Sequence, residues 1–194
     1  MILYDCQDKR REVVDNMWGV LTGNEIANKV SQGEILISPY DKHNISCNSY
    51  NYRLANKIIR LNNEVFDLKH EDTYEEIIIK DTGTILYPNE CYLGSTLEKV
   101  GSNNYVGLIT GKSSIGRKFI TNHMTSNIIE QGLFGNITLE ITVQKPTILY
   151  PNILFGHIMW LTVLGSAKYY EGEYQNQNQP TVSNIHNKIV DGLK

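Results

Sequence analysis

The sequence is short of several things that would define other classes of protein. Its three cysteines, Cys6, Cys47 and Cys91, are far apart and in no C-x-x-C pair. An odd, scattered set builds no disulfide framework, and reduced thiols in a cytosolic protein are the expectation. Net charge is also scarce: 18 Lys and Arg against 21 Asp and Glu leave −3. There is no general basic field for gripping nucleic acid, so a polyanionic ligand requires a local cluster of donors. No apolar run approaches the roughly 18 residues of a membrane-spanning helix. The first 12 residues, MILYDCQDKRRE, put charges where a signal peptide has its apolar stretch. The expectation is a cytoplasmic protein with neither membrane nor nucleic acid as partner. What is not scarce is core: 41% of the 194 residues are hydrophobic, enough for one domain with an appendage.

Along the chain, residues 10–20 (RREVVDNMWGV) read as a helix with Val13, Val14, Met17 and Trp18 on its apolar side, an N-terminal helical extension over residues 1–20. Thr22 and Glu25 then form a capping box, with Ile26, Ala27 and Val30 at helical spacing and Gly33 as the stop. ILISPY, residues 35–40, is a short strand ended by Pro39. From there short β-rich runs alternate with turn residues, the spacing of an all-β sandwich or barrel over residues 21–166. Residues 115–120 read as a short helix or turn. Residues 167–194 begin with a stretch rich in Tyr, Gln and Asn and without apolar period, the mark of an irregular arm. One hexapeptide recurs: TILYPN stands at 84–89 and again at 147–152, each copy running into an apolar strand. Tyr-Pro-Asn is a strand-end turn, so the repeat points to two related corners of one β architecture.

Three stretches carry chemistry. In TGKSSIGR, residues 110–117, two glycines let the backbone bend around a ligand, Lys112 and Arg117 supply charge, and Ser113 and Ser114 supply hydroxyls. The set suits an anion such as phosphate, though it is not a Walker A loop. His123-Met-Thr-Ser126 follows, and then IIEQGLFG, residues 128–135. In residues 136–142, NITLEIT, the period is 2: Ile137, Leu139 and Ile141 share one face, while Asn136, Thr138, Glu140 and Thr142 share the other. By pattern alone Glu140 is a carboxylate on a polar face, His123 is more readily packed than catalytic, and His157 and Trp160 belong to the core.

These motifs, in this order, resemble the dCTP deaminases, whose pattern is G-R-S-S-x-x-R, H-x-T-A and I-D-x-G-[WF]-x-G-x-[IV]-x-L-E. Ile37-Ser-Pro-Tyr40, Ser49-Tyr-Asn-Tyr-Arg-Leu54 and the arm sequence EYQNQNQPT at 173–181 agree with further family motifs, so the likeness runs from about Leu21 to Ile185. The resemblance implies a mainly β fold, a distorted jelly-roll-like barrel of dUTPase type, assembled as a homotrimer with active sites shared between subunits. It implies deamination of dCTP to dUTP without zinc, with Mg²⁺ accompanying the triphosphate. Carried over by position, Glu140 is the general acid/base, and Ser113 and Arg117 hold and polarise water and base. Lys112 and Ser114 face the phosphates. Met124, Thr125 and Ser126 line the cytosine pocket, Glu130 lies near the sugar, and Tyr170 (or Tyr169), Tyr174 and Gln177 close over the nucleotide.

Chemistry supports part of this independently. Zinc deaminases need a His/Cys/Cys site with an H-x-E…P-C-x-x-C signature, which Cys6, Cys47 and Cys91 do not supply. The chain also departs from the family pattern. Lys112 stands for Arg, Glu130 for Asp, Ser126 for Ala, Glu173 for an arm Lys, and Asn51 for an Asp. Glu130 and Glu173 lower complementarity to a triphosphate. Two other readings therefore stand beside the deaminase: a dUTPase or bifunctional dUMP-forming enzyme, and a nucleotide-binding relative without turnover.

Overall fold

The computed structural model describes residues 19–190 and residue 192. The helix expected over 10–20 therefore lies, up to residue 18, outside the described residues. Gly19 and Val20 are not helical. Val20 bridges Leu161, and the Gly19 amide donates to Thr162 Oγ1 at 2.7 Å.

Helix α1 (Gly23–Ser31) is capped at both ends as its sequence dictates. Thr22 accepts from the Glu25 amide at 3.3 Å. At the other end Gly33 takes φ +74, and the Gly33 and Glu34 amides donate back to the Val30 and Lys29 carbonyls, a Schellman closure.

Antiparallel strands make up the rest. A four-stranded sheet runs in the order β10 (Ile128–Ile129), β8 (Tyr105–Gly111), β14 (Leu154–Thr162), β2 (Tyr50–Arg53). A five-stranded sheet runs β4 (Tyr74–Ile78), β3 (Lys57–Leu61), β6 (Cys91–Ser95), β12 (Thr138–Val143), β9 (Ile120–Thr121). A three-stranded sheet joins β1 (Leu36–Ser38), β7 (Lys99–Gly101) and β11 (Phe134–Gly135). A two-stranded ribbon pairs β5 (Thr84–Leu86) with β13 (Thr147–Leu149). Among the described residues the helices are α1, a 3-10 turn at Lys42–Asn44, the single turn α2 (Ser113–Gly116) and α3 (Ile185–Val190). This is the mainly β fold the sequence predicts. The sheets do not close into one hydrogen-bonded barrel. Several strands have only two or three residues, and an isolated bridge from Leu54 to Thr96 crosses between the four- and five-stranded sheets. Side chains do the joining: Tyr50, Tyr52, Ile109, Phe155, Ile158 and Trp160 of one sheet share a core with Ile58, Tyr92, Leu139 and Ile141 of the other.

The TILYPN repeat has a structural meaning. Its two copies pair with each other as β5 and β13, Ile85 opposite Ile148, and both end at an asparagine in the left-handed region, Asn89 at φ +66 and Asn152 at φ +62. The SYNYRL motif is structural too. Arg53 donates through its backbone amide and Nε to both oxygens of Glu98, at 2.9 and 2.7 Å, and the Glu98 side chain has no exposed surface.

Candidate active site

Strand β12 positions the central carboxylate. Leu139, Ile141 and Val143 enter the core, so the period of 2 sends Thr138, Glu140 and Thr142 to the opposite face. Leu93 of β6 stands beside Glu140 in register, and with Leu61 of β3 it supplies apolar floor. The arm crosses above. Its path is fixed by backbone bonds: the Asn136 amide donates to the Gln177 carbonyl at 2.9 Å and the Asn176 amide to the Phe134 carbonyl at 2.8 Å. Gln175 adds two more, accepting from the Phe134 amide at 2.8 Å and donating to the Gly132 carbonyl at 2.6 Å. A Cβ on Gly135, at φ +149, would meet the Gln177 backbone nitrogen at 2.7 Å, so this crossing requires glycine. Sheet face and arm enclose a cavity of about 380 Å³ that includes Glu140, Thr125, Ser126, Tyr174 and Gln177 in its wall. That is within the range of small-molecule sites.

Glu140 is tied at one oxygen. Oε2 accepts the Met124 amide at 3.0 Å and lies 2.9 Å from His123 Nδ1. The second contact has ion-pair distance without the alignment of a hydrogen bond, and Nε2 of the same ring has no partner. The His123 side chain is 8% exposed against 34% for Glu140. Burial is the largest single influence on each and disfavours both charges. For Glu140 it is outweighed by His123 and by the Met124 amide, so the carboxyl sits below its ordinary range. For His123 it is outweighed by Glu140, so the imidazole sits above its ordinary value. Near pH 6 the pair is an ionised carboxylate against an imidazolium. A lowered pKa keeps the carboxylate in the ionised form that can accept a proton, while making it a weaker base.

The expected residues divide into two groups. Glu140, Thr125, Ser126, Tyr174 and Gln177 meet in the cavity, and Met124 joins them through its amide while its side chain points to solvent. Ser126 adopts φ +57 at this turn. Lys112, Ser113, Ser114 and Arg117 do not line the cavity. Ser113 and Ser114 lie in the exposed turn α2, Lys112 and Arg117 flank it at either end, and Lys112 Nζ donates to Asn51 Oδ1 at 2.9 Å. Glu130 is exposed and outside the cavity wall. Tyr170 stands behind the arm, its hydroxyl accepting the Tyr174 amide at 3.2 Å. His157 is not a satisfied core histidine: in register with Asn51 it faces away from the core, and Nδ1 has no partner. The sequence reading passed over His123 as a partner of Glu140, and Asp72, which also lines the cavity. His123 stood inside a motif already singled out. Asp72 lies in the loop between β3 and β4, where nothing in the sequence marks it.

The antiparallel β architecture and a cavity of small-molecule size with a carboxylate in its wall define a candidate enzyme site. Residues 20–163 match the family described as dCTP deaminase-like, and the chain belongs to that family. It is 36% identical over 166 residues to proteins named "dCTP deaminase, dUMP-forming" from Hathewaya histolytica and Cytophaga hutchinsonii, covering 84% of this chain and 96% and 95% of theirs. A solved structure of the 2'-deoxycytidine 5'-triphosphate deaminase from Agrobacterium tumefaciens shares the fold, with a TM-score of 0.62 at 19% identity. That match covers 76% of this chain and spans about half (49%) of the solved one.

Proposed function

We propose that the protein deaminates dCTP, and that the observation carrying this reading is Glu140: ionised, anchored by the Met124 amide and His123, and set in a cavity of nucleoside size. Water adds to C4 of cytosine while Glu140 takes its proton. Glu140 delivers that proton to N3, where uracil keeps it, and then carries the second proton from the new C4 hydroxyl to the amine, which leaves as ammonia as the C4 carbonyl forms. His123 keeps the carboxylate charged and fixed in direction, and so acts as a positioning residue. Ser113 and Arg117 orient the water and stabilise the developing charge. Mg²⁺ enters on the phosphate chain as part of the substrate. Among the described residues no three His, Cys, Asp or Glu converge on a cation. The carboxylate route assigned to Glu140 uses no zinc.

Among the described residues the cavity holds two carboxylates, Asp72 and Glu140, beside His123, and neither lysine nor arginine. Lys112, Ser113, Ser114 and Arg117 are exposed elsewhere on the chain or only partly covered. We therefore assign these four residues to the cavity of a neighbouring copy, in a homotrimer with shared sites in the cytoplasm. The sequence alone places dUTP first as product and dUMP second. The names of the relatives favour dUMP, while Glu130 in place of the family's Asp argues against hydrolysis of the phosphate chain. Chromatography after incubation with dCTP and Mg²⁺ tests both steps. Ammonia with dUMP and pyrophosphate supports the dUMP-forming reading, and ammonia with dUTP supports deamination alone. Unchanged dCTP contradicts the proposal.

A further inference from the structure

Among the described residues one chain gives the Glu140 cavity two carboxylates, Asp72 and Glu140, one imidazole, His123, and no lysine or arginine, so the phosphate chain, which Lys112 of a neighbouring copy meets, also gains from a cation at the cavity's rim. Among the described residues, Lys57 contacts the arm that forms the cavity's roof and Lys188 is part of that arm. Lys57 is committed: its Nζ donates to Gln179 Oε1 at 2.8 Å and pairs with Glu76, and its side chain is 21% exposed. Lys188 is not. It comes from α3 and lies 2.8 Å from Glu173 Oε1, with 59% of its side chain exposed. Among the described residues Glu173 is its one acidic partner, which leaves two ammonium hydrogens facing solvent.

The position of this pair is telling. Glu173 adjoins Tyr174, which lines the cavity, and the Asn184 amide just before α3 donates to the Tyr174 hydroxyl at 3.4 Å. Ser183, one residue further back, also lines the cavity. Lys188 is thus carried on a turn of helix docked at the cavity's rim, held there by a carboxylate that occupies the place an anion would take. An ion pair this exposed is weakly held, so exchanging Glu173 for phosphate costs little.

We propose that Lys188 is a phosphate-binding residue of the nucleotide site, with Glu173 holding its ammonium at the rim until the phosphate chain displaces it. This rests on the nucleotide reading above and adds a determinant of phosphate-chain length. Binding of dCTP, dCMP and deoxycytidine is measured by calorimetry on full-length Glu140→Gln protein, alone and with Lys188→Gln or Glu173→Gln. Lys188→Gln weakens dCTP about tenfold, dCMP less and deoxycytidine not at all, the loss of one charge-assisted bond to phosphate. Glu173→Gln removes the competitor and tightens dCTP. A mere brace for α3 would behave differently: both variants break the same contact, both would weaken all three ligands alike, and that result overturns the proposal. Tripolyphosphate as a probe separates this failure from that of the deaminase reading. If no cytosine nucleotide binds but tripolyphosphate binds in a Lys188-dependent way, the cation site stands and the base assignment falls. Equal tripolyphosphate binding with and without Lys188 overturns the site itself.

Discussion

Glu140 and His123 each depend on the other's charge, and this fixes a pH window. Glu140 is depressed below 4.5 in the folded chain, so its contribution to stability is present above that value and is lost as pH falls through the lower, folded one. His123 is raised above 6.5, so its contribution is complete below 6.5 and is lost as pH rises through the higher, folded value. The pair therefore contributes most between about pH 4.5 and 6.5. In urea denaturation, wild type minus His123→Gln should show its largest stability difference in that window and a shrinking one at pH 8; a flat difference contradicts the pairing. At the same scale, Glu140→Gln should lower the deamination rate by about 10² to 10⁴-fold, the usual worth of a positioned acid–base group, with the fold intact by circular dichroism. Arg53→Met should act on stability alone. It leaves the fully buried Glu98 carboxylate without its partner, at a cost of about 3–5 kcal/mol in chemical denaturation.

Elements show how far the sequence could be read. The alternation in residues 136–142 and the motif order placed Glu140 on the outward face of β12, and the structure puts it there because Leu139 and Ile141 have no other place to go than the core. The Thr22 cap and the Gly33 stop were equally legible, since both act within a few residues of chain. Pairing between distant segments was not. The TILYPN repeat pointed to two corners, but that its copies pair with each other as β5 and β13 depends on the whole path of the chain. His123 read as a packed residue because the carboxylate it meets is 17 residues on, and α3 was missed because six residues with no buried side chain leave no apolar pattern. The repeat carries its own test. Asn89 and Asn152 sit at positive φ, so Ala at either should lower stability by about 1 kcal/mol while Gly is tolerated, measured by thermal melting. Equal effects of Ala and Gly would contradict the turn geometry.

At the scale of the molecule, the residues expected to do the chemistry lie on two surfaces of one chain. Glu140, with Thr125, Ser126, Tyr174 and Gln177, lines a cavity closed by the chain's own arm, while Ser113 stands exposed on α2 and Arg117 just after it. A shared site reconciles the two, and it can be tested by complementation. Glu140→Gln and Arg117→Ala proteins are each inactive on dCTP by this account. Unfolded together, refolded as a mixture and assayed for ammonia, they should regain about a quarter of wild-type activity, the share of sites that draw an intact Glu140 from one chain and an intact Arg117 from another. A mixture as inactive as its components would contradict the account, because both residues would then have to act within a single chain.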